Sequence, residues 1–168
     1  GDHAVALQYG GEYEFNHCTF ANYWSGNPRS KATLLLNNHF EDRDGGTRVR
    51  DFNATFTNTI IHGALDEEVE LDNEDGASFE YYFDHCVMKR DTNELDDPEH
   101  YSEIILNPSS PVVEGVTKNP LFDDVGVDYR LFQQSRAVNK GIATSILLDL
   151  EGTSRDGTPD IGAYEFVP

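Results

Sequence analysis

The sequence predicts an all-β fold, a solenoid of stacked parallel strands, and three observations carry that prediction. A six-residue phrase recurs, as FNHCTF at 15–20, FTNTII at 56–61 and FDHCVM at 83–88. A second phrase recurs out of step with it: Val5-Ala6-Leu7-Gln8, Leu34-Leu35-Leu36-Asn37, Val69-Glu70-Leu71-Asp72 and Ile104-Ile105-Leu106-Asn107. The vocabulary is that of strands and bends, with abundant Asn, Asp, Gly, Thr, Phe and Tyr and a single Met in 168 residues. Units this small cannot bury a face alone, but stacked units form one continuous core.

The leucine phrase sets the first strand of each unit. Leu7, Leu36, Leu71 and Leu106 align at steps of 29, 35 and 35 residues. Each strand then lies on its counterpart one coil earlier, ~4.8 Å away, and equivalent residues form columns. The six-residue phrase sets the next two strands and the bend between them. Phe15 ends one strand pointing inward, Cys18 and Phe20 point inward on the next, and Asn16-His17 turn the chain. His17, Asn58 and His85 share that bend position. Asn and His tolerate positive φ, so a left-handed or bridge conformation is expected there.

The same arithmetic limits the chemistry of the phrase. Two coils separate Cys18 from Cys86, placing their Cα atoms ~9–10 Å apart, beyond disulfide reach. Two buried free thiols acting as small hydrophobes are expected, with Thr59 between them. A thiol nucleophile would need an exposed, electropositive setting. His17 and His85 are likewise too far apart to share a metal ion.

Insertions sit at the bends. Residues 21–31 carry Tyr23 and Trp24, residues 38–50 hold mixed charge around Gly45-Gly46, and residues 89–102 are strongly acidic. The first and third follow the Cys-bearing strand and the second follows the leucine strand, so the loops are expected to wall a groove over the leucine strand's outer face. Its central outward column is Ala6, Leu35, Glu70 and Ile105, flanked by Ala4, Thr33, Glu68 and Glu103. Acid–base chemistry wants at least two convergent titratable groups, and paired carboxylates serve glycoside hydrolysis. One central carboxylate among aliphatics argues against catalysis, and no catalytic residue is assigned. The binding candidates are Tyr23, Trp24, Asp42, Asp44, Arg48 and Glu70, with Tyr81 and Tyr101 as further aromatic platforms.

Charge narrows the partners. Twelve basic against 31 acidic residues give a formal charge of -19, which excludes a bare nucleic-acid binder. A polyanionic substrate would be repelled unless a cation bridged it. No apolar run reaches the ~18–20 residues of a membrane span. Gly1 followed abruptly by Asp2-His3-Ala4-Val5 reads as a trimmed start, so an N-terminal remainder of the same chain is expected before it.

Past residue 107 the repeat fades. NPLFDD at 119–124, DYRLFQQSRAVNKG at 128–141 and above all DLEGTSRDGTPDIGAYEF at 149–166 remain. This stretch resembles the terminal signature of secreted right-handed parallel β-helix proteins of the pectate-lyase-like superfamily, whose closing segment runs like DLDG, then Arg, then PDIGAYE. Ser135-Arg136-Ala137 stands where such proteins more often have Ser-Pro-Ala. The resemblance covers about 50 residues well and extends upstream more loosely through the FNHCTF phrases.

The resemblance implies a right-handed parallel β-helix of about four coils over 1–107, closed by an irregular C-terminal section at 108–168, as one domain. In that section Asp160 to Phe166 is expected as a last strand laid on the stack, with Arg155 pairing Asp160. Asp149, Glu151, Asp156 and Asp160 are the calcium candidates, although calcium needs six to eight oxygens and EF-hand spacing is absent. Asp123 and Asp124 raise the same question. The resemblance further implies a secreted or cell-surface bacterial protein, periplasmic or anchored to an outer membrane. Its implied role is polysaccharide binding or scaffolding, with a polysaccharide lyase or glycoside hydrolase fragment as the alternative. The lyase pattern would draw its carboxylates and base from Asp42, Asp44, Arg48 and Arg50.

Overall fold

The computed structural model describes residues 3–23, 29–90, 97–106, 112–113, 116–117, 122–124 and 128–168. Among these residues the chain is all-β, without a helix, and its three main sheets are parallel throughout. The chain runs in circuits. Each of the first three circuits places one strand in each of three sheets. Sheet A holds β1 (Val5–Leu7), β4 (Leu34–Asn37) and β9 (Val69–Asp72). Sheet B holds β2 (Gly11–Asn16), β7 (Phe52–Thr57), β10 (Phe79–Asp84) and β12 (Tyr101–Ser102). Sheet C holds β3 (Thr19–Asn22), β8 (Ile60–Gly63), β11 (Val87–Met88) and β13 (Ile105–Leu106).

The expected registry is present. Leu7 pairs with Leu36, and Leu36 with Leu71. Phe15, Phe56 and Phe83 pair in sheet B, and their rings stack 5.2 and 4.6 Å apart. Polar residues alternate outward along the same strands, so Asn53 is exposed between buried Phe52 and Ala54. Period-two alternation thus puts one apolar file inside and one polar file outside.

The fourth leucine is misassigned by the sequence pattern. Leu106 pairs with Met88 in sheet C, not with Leu71 in sheet A. Tyr101 pairs with Phe83, so YSEIIL at 101–106 is the fourth copy of the six-residue phrase. The fourth circuit passes from β11 back to sheet B without a described strand in sheet A. Ile105 and Glu103 therefore leave the outward column assigned to them.

The bend between sheets B and C is the most regular feature. His17, Asn58, His85 and Glu103 have φ of 53, 52, 50 and 49°. Each of the first three donates its backbone N–H across to the next circuit, to Thr57, Asp84 and Ser102 carbonyls. The ladder therefore runs through the bend without a gap. A non-glycine residue here costs about 1–2 kcal/mol, offset by that bonding.

The thiols are free, as expected, but only Cys86 is fully buried; Cys18, in the first circuit, is half-buried. Burial pushes the Cys86 thiol up to about 12.

Two short antiparallel strand pairs, 112–113 with 116–117 and 122–124 with 128–131, open the C-terminal section. That section lies against the outer face of sheet C. Ile161 and Ala137 are fully buried there with Ile60 and Val87, and Leu131 nearly so. The expected last strand at 160–166 is absent: these residues form bends and irregular chain. The link to the bend column is Asn58, whose amide donates to the Ile142 carbonyl (2.7 Å) and accepts from the Ile142 N–H (2.8 Å). Its carbonyl also accepts from the Gly162 N–H.

Phe56→Ala should lower unfolding free energy by about 3–5 kcal/mol, because it empties the centre of the ring column. Phe15→Ala, at the half-buried end of the column, should cost clearly less, as measured by urea unfolding of both variants.

Candidate functional site

The leading candidate is the outer face of sheet A. Glu68, Glu70 and Asp72 alternate along one strand and so point to one side, ~6.5–7 Å apart in sequence. Each faces a basic group from an earlier part of the chain.

Glu68, in a flanking outward position, is fully buried. Arg29 grips it with both terminal nitrogens, at 2.8 and 2.5 Å. The Thr33 N–H and hydroxyl and the Leu65 N–H donate to the same carboxylate. Five donors thus satisfy a charge that would otherwise be costly to bury. Gly63 is required beside it, since a Cβ there would lie 2.2 Å from a Glu68 oxygen.

Glu70 is more open. Lys31 Nζ lies 3.6 Å and His3 Nε2 3.7 Å from its two oxygens. Asp72 accepts from the Asn37 amide at 2.8 Å, and His39 Nε2 stands 3.9 Å away. A cleft of about 410 Å³ opens beside Glu70, between Lys31, Leu65, Glu67 and Arg90. The row is thus closed by a bidentate pair at one end and open to solvent at the other.

Of the residues expected to bind, only Glu70 lies on this face. Tyr23 is taken up on the outer face of sheet C, beside the C-terminal section: its hydroxyl bonds His62 Nδ1, and its ring packs on His62 and Tyr129. Trp24 lies outside the described residues. Asp42 and Asp44 lie in the turn of a hairpin, β5 (His39–Glu41) with β6 (Thr47–Val49), and Arg48 lies on β6 opposite Phe40. Asp42 accepts from the Asp44 and Gly46 N–H groups and from Arg48 Nε at 2.8 Å. The Gly46 bond, then Arg48, holds the Asp42 carboxyl below its usual range. This set serves the hairpin and contacts Glu70 through none of its hydrogen bonds or ion pairs among the described residues. Tyr81 and Tyr101 are core rings, packed on Phe83 and each other, and not platforms.

The sequence reading missed Arg29, Lys31, His3, Asn37, His39 and Asp72. A signal was available. Arg29 and Lys31 are two residues apart, as are Glu68 and Glu70, and 39 residues separate the partners of each pair.

The carboxylates of the C-terminal section hold backbone instead of one another. Asp149 accepts from Glu151, Thr153 and Glu165 N–H groups. Burial alone would raise its carboxyl, but these bonds and Arg155 hold it below the usual value. Asp156 caps the Thr158 N–H, and Asp160 accepts from Asn139 and Phe166 N–H groups. Arg155 pairs with Glu165, not with Asp160 as expected. Burial, then the neighbouring Asp160, raises the Glu165 carboxyl. Among the described residues no group of three or more His, Cys, Asp or Glu able to hold a metal ion occurs.

No protein-family model, curated protein or solved structure matches this chain.

Arg29→Ala should cost about 3–5 kcal/mol, because it strands a buried carboxylate. Lys31→Ala, on the exposed pair, should cost at most about 1 kcal/mol; thermal unfolding of the two variants separates them. Acid should weaken the fold through two histidines. Burial, then Lys89, lowers His62 from 6.5 to about 4, and burial, then Arg155, does the same for His17. The unfolded chain takes those protons first, so this stability is complete above pH 6.5 and is withdrawn between about pH 6.5 and 4. The loss is at most roughly 3 kcal/mol per histidine. Unfolding free energy against pH should fall over that window in the parent and flatten in His17→Asn/His62→Gln.

Proposed function

We propose that this chain is a right-handed parallel β-helix of the pectate-lyase-like kind, acting as a non-catalytic, polysaccharide-related binding or scaffold domain of a secreted or cell-surface protein. The three parallel sheets with matched circuits and the PDIGAYE-like closing segment support the fold reading. The observation that carries the functional one is the charge-paired row on sheet A. Glu70 with Lys31, and Asp72 with His39, present acceptors and donors side by side along a rigid face. That pattern suits the hydroxyls of an extended sugar chain, which exchange hydrogen bonds with both members of each pair. Neutral polysaccharides are favoured over polyuronates, because the chain carries a formal charge of -19.

The pairing also supports a binding role over a chemical one. A proton-transfer group needs a shifted pKa and a free face toward substrate. Here every carboxylate of the row already faces a basic side chain, and Glu68 and Asp72 also accept hydrogen bonds from the protein. The second reading, a lyase or glycoside hydrolase fragment, draws on one observation: Glu70 and Asp72 lie two residues apart on one side of a strand, ~6.5–7 Å, at the short end of the inverting-hydrolase separation.

The two readings part on one experiment. The 168-residue chain is screened against neutral and uronic polysaccharides, with titration calorimetry and reducing-end release on each hit. Binding of a neutral polymer without turnover, weakened about tenfold or more in Lys31→Ala/Glu70→Ala, supports the binding role. Turnover abolished by Glu70→Gln replaces it with the hydrolase reading. Binding unchanged in the double variant removes this face from the function.

A further inference from the structure

Where the C-terminal section crosses the bend column, the hydrogen bonds admit a single protonation state. The section's backbone orients the Asn58 amide. Its Oδ1 accepts from the Ile142 N–H at 2.8 Å, and Nδ2 donates to the Ile142 carbonyl at 2.7 Å. The second Nδ2 hydrogen therefore points at His17 Nε2, 3.0 Å away. The Thr144 hydroxyl already accepts from the Ile146 N–H and stands 3.1 Å from the same ring nitrogen, so it donates there as well. Nε2 must accept, and the ring proton sits on Nδ1. His17 is 5% exposed, and Nδ1 is buried without a hydrogen-bond partner among the described residues.

The surroundings enforce this arrangement. A Cβ on Gly141 would lie 2.8 Å from both Asn58 Oδ1 and the Pro159 carbonyl, so the section sits at backbone contact and leaves Asn58 little slack to turn. Arg155 and Asp160 face His17 from the section. The second-circuit bend offers Thr57, Asn58 and Thr59, none of them charged, and its own turn offers Cys18, whose thiol burial raises. Burial, then Arg155, disfavours a charged His17, and the Asp160 backbone opposes this without completing a hydrogen bond.

We propose that His17 is an acid-sensitive latch: protonation of its ring turns Asn58 away from Ile142 and releases the C-terminal section from the outer face of sheet C, while the stacked circuits stay folded. A charged ring carries hydrogen on both nitrogens, so Nε2–H meets the Asn58 N–H. Thr144 can turn its hydroxyl to accept that proton. Asn58 can accept it only by rotating its amide, which breaks both bonds to Ile142. The circuits keep their own support, since the strands of sheets A, B and C pair only within those sheets among the described residues. Release uncovers Ile60 and Val87. The direction follows from linkage: a ring lowered from 6.5 to about 4 holds the section fully above pH 6.5 and lets go as the pH falls toward 4. Burial raises the Asp160 and Glu165 carboxyls, so their contribution favours the seated section in acid and opposes release.

Hydrogen exchange read by mass spectrometry at pH 7 and pH 5, corrected for the intrinsic rate, tests the latch. Between ring values of about 4 seated and 6.5 released, linkage raises the released fraction roughly twentyfold at pH 5 relative to pH 7. Protection over 131–166 should fall by about that factor, while β7 and β10 keep theirs. His17→Asn places at this bend the residue that already occupies it at Asn58, with φ 52°. Its side-chain oxygen accepts from Asn58 at either pH, so the section should stay protected at both. Asn58→Asp sets a carboxylate oxygen against Nε2 and should invert the response, protecting the section more at pH 5 than at pH 7. Loss of protection by section and circuits together overturns the proposal. So does a response that survives in His17→Asn, or one that keeps its sign in Asn58→Asp.

Discussion

Parallel registry through the bend between sheets B and C governs the rest of this structure. Strands stacked in parallel give identical residues identical surroundings, so one solution to a turn can be repeated. Here the solution is a single left-handed residue between two inward-pointing side chains. His17, Asn58, His85 and Glu103 all adopt it, and the ladder continues across it. Because the bend holds its register, the inward files on either side coincide. Phe15, Phe56, Phe83 and Tyr101 stack on one side, and Phe20, Ile61, Met88 and Leu106 align on the other.

The same bend recruits the C-terminal section. Asn58 alone in the column has an amide, which can donate and accept at once. It therefore binds the Ile142 backbone as a strand would, while histidines occupy the positions on either side of it. His17 uses its ring to receive the Asn58 amide and to meet Thr144. The section is then pinned over the apolar outer face of sheet C, where Ile60 and Val87 would otherwise meet water. One column of residues thus shapes the interior and seats the element that shields the exterior.

On sheet A the constraint is electrostatic. An acidic chain that stacks its strands in register brings like charges close, and period-two spacing lines them along one face. Glu68, Glu70 and Asp72 are such a row, and bases from earlier segments offset it. The offset is strongest where water is excluded, at Arg29 and Glu68, looser at half-exposed Glu70, and loosest as an ion pair at Asp72, the exposed end of the row. This gradient leaves the exposed end of the row able to exchange hydrogen bonds with something else.

Sequence periodicity alone determined the strand content, the parallel stacking of Leu7, Leu36 and Leu71, the left-handed bend and the unpaired thiols. Each follows from local conformational preference or from counting residues, and both survive any choice of loops. It did not determine the place of Leu106, because the six-residue phrase recurs at intervals of 41, 27 and 18 residues and the shortest circuit skips a strand in sheet A. Nor did it determine which carboxylates are buried, that Tyr23 packs against His62, or that the closing segment lies across a sheet face. Those outcomes depend on which loop reaches which face. Only the folded chain brings Arg29 to Glu68 or Ile142 to Asn58, across separations of 39 and 84 residues, since no local preference encodes a contact of that span.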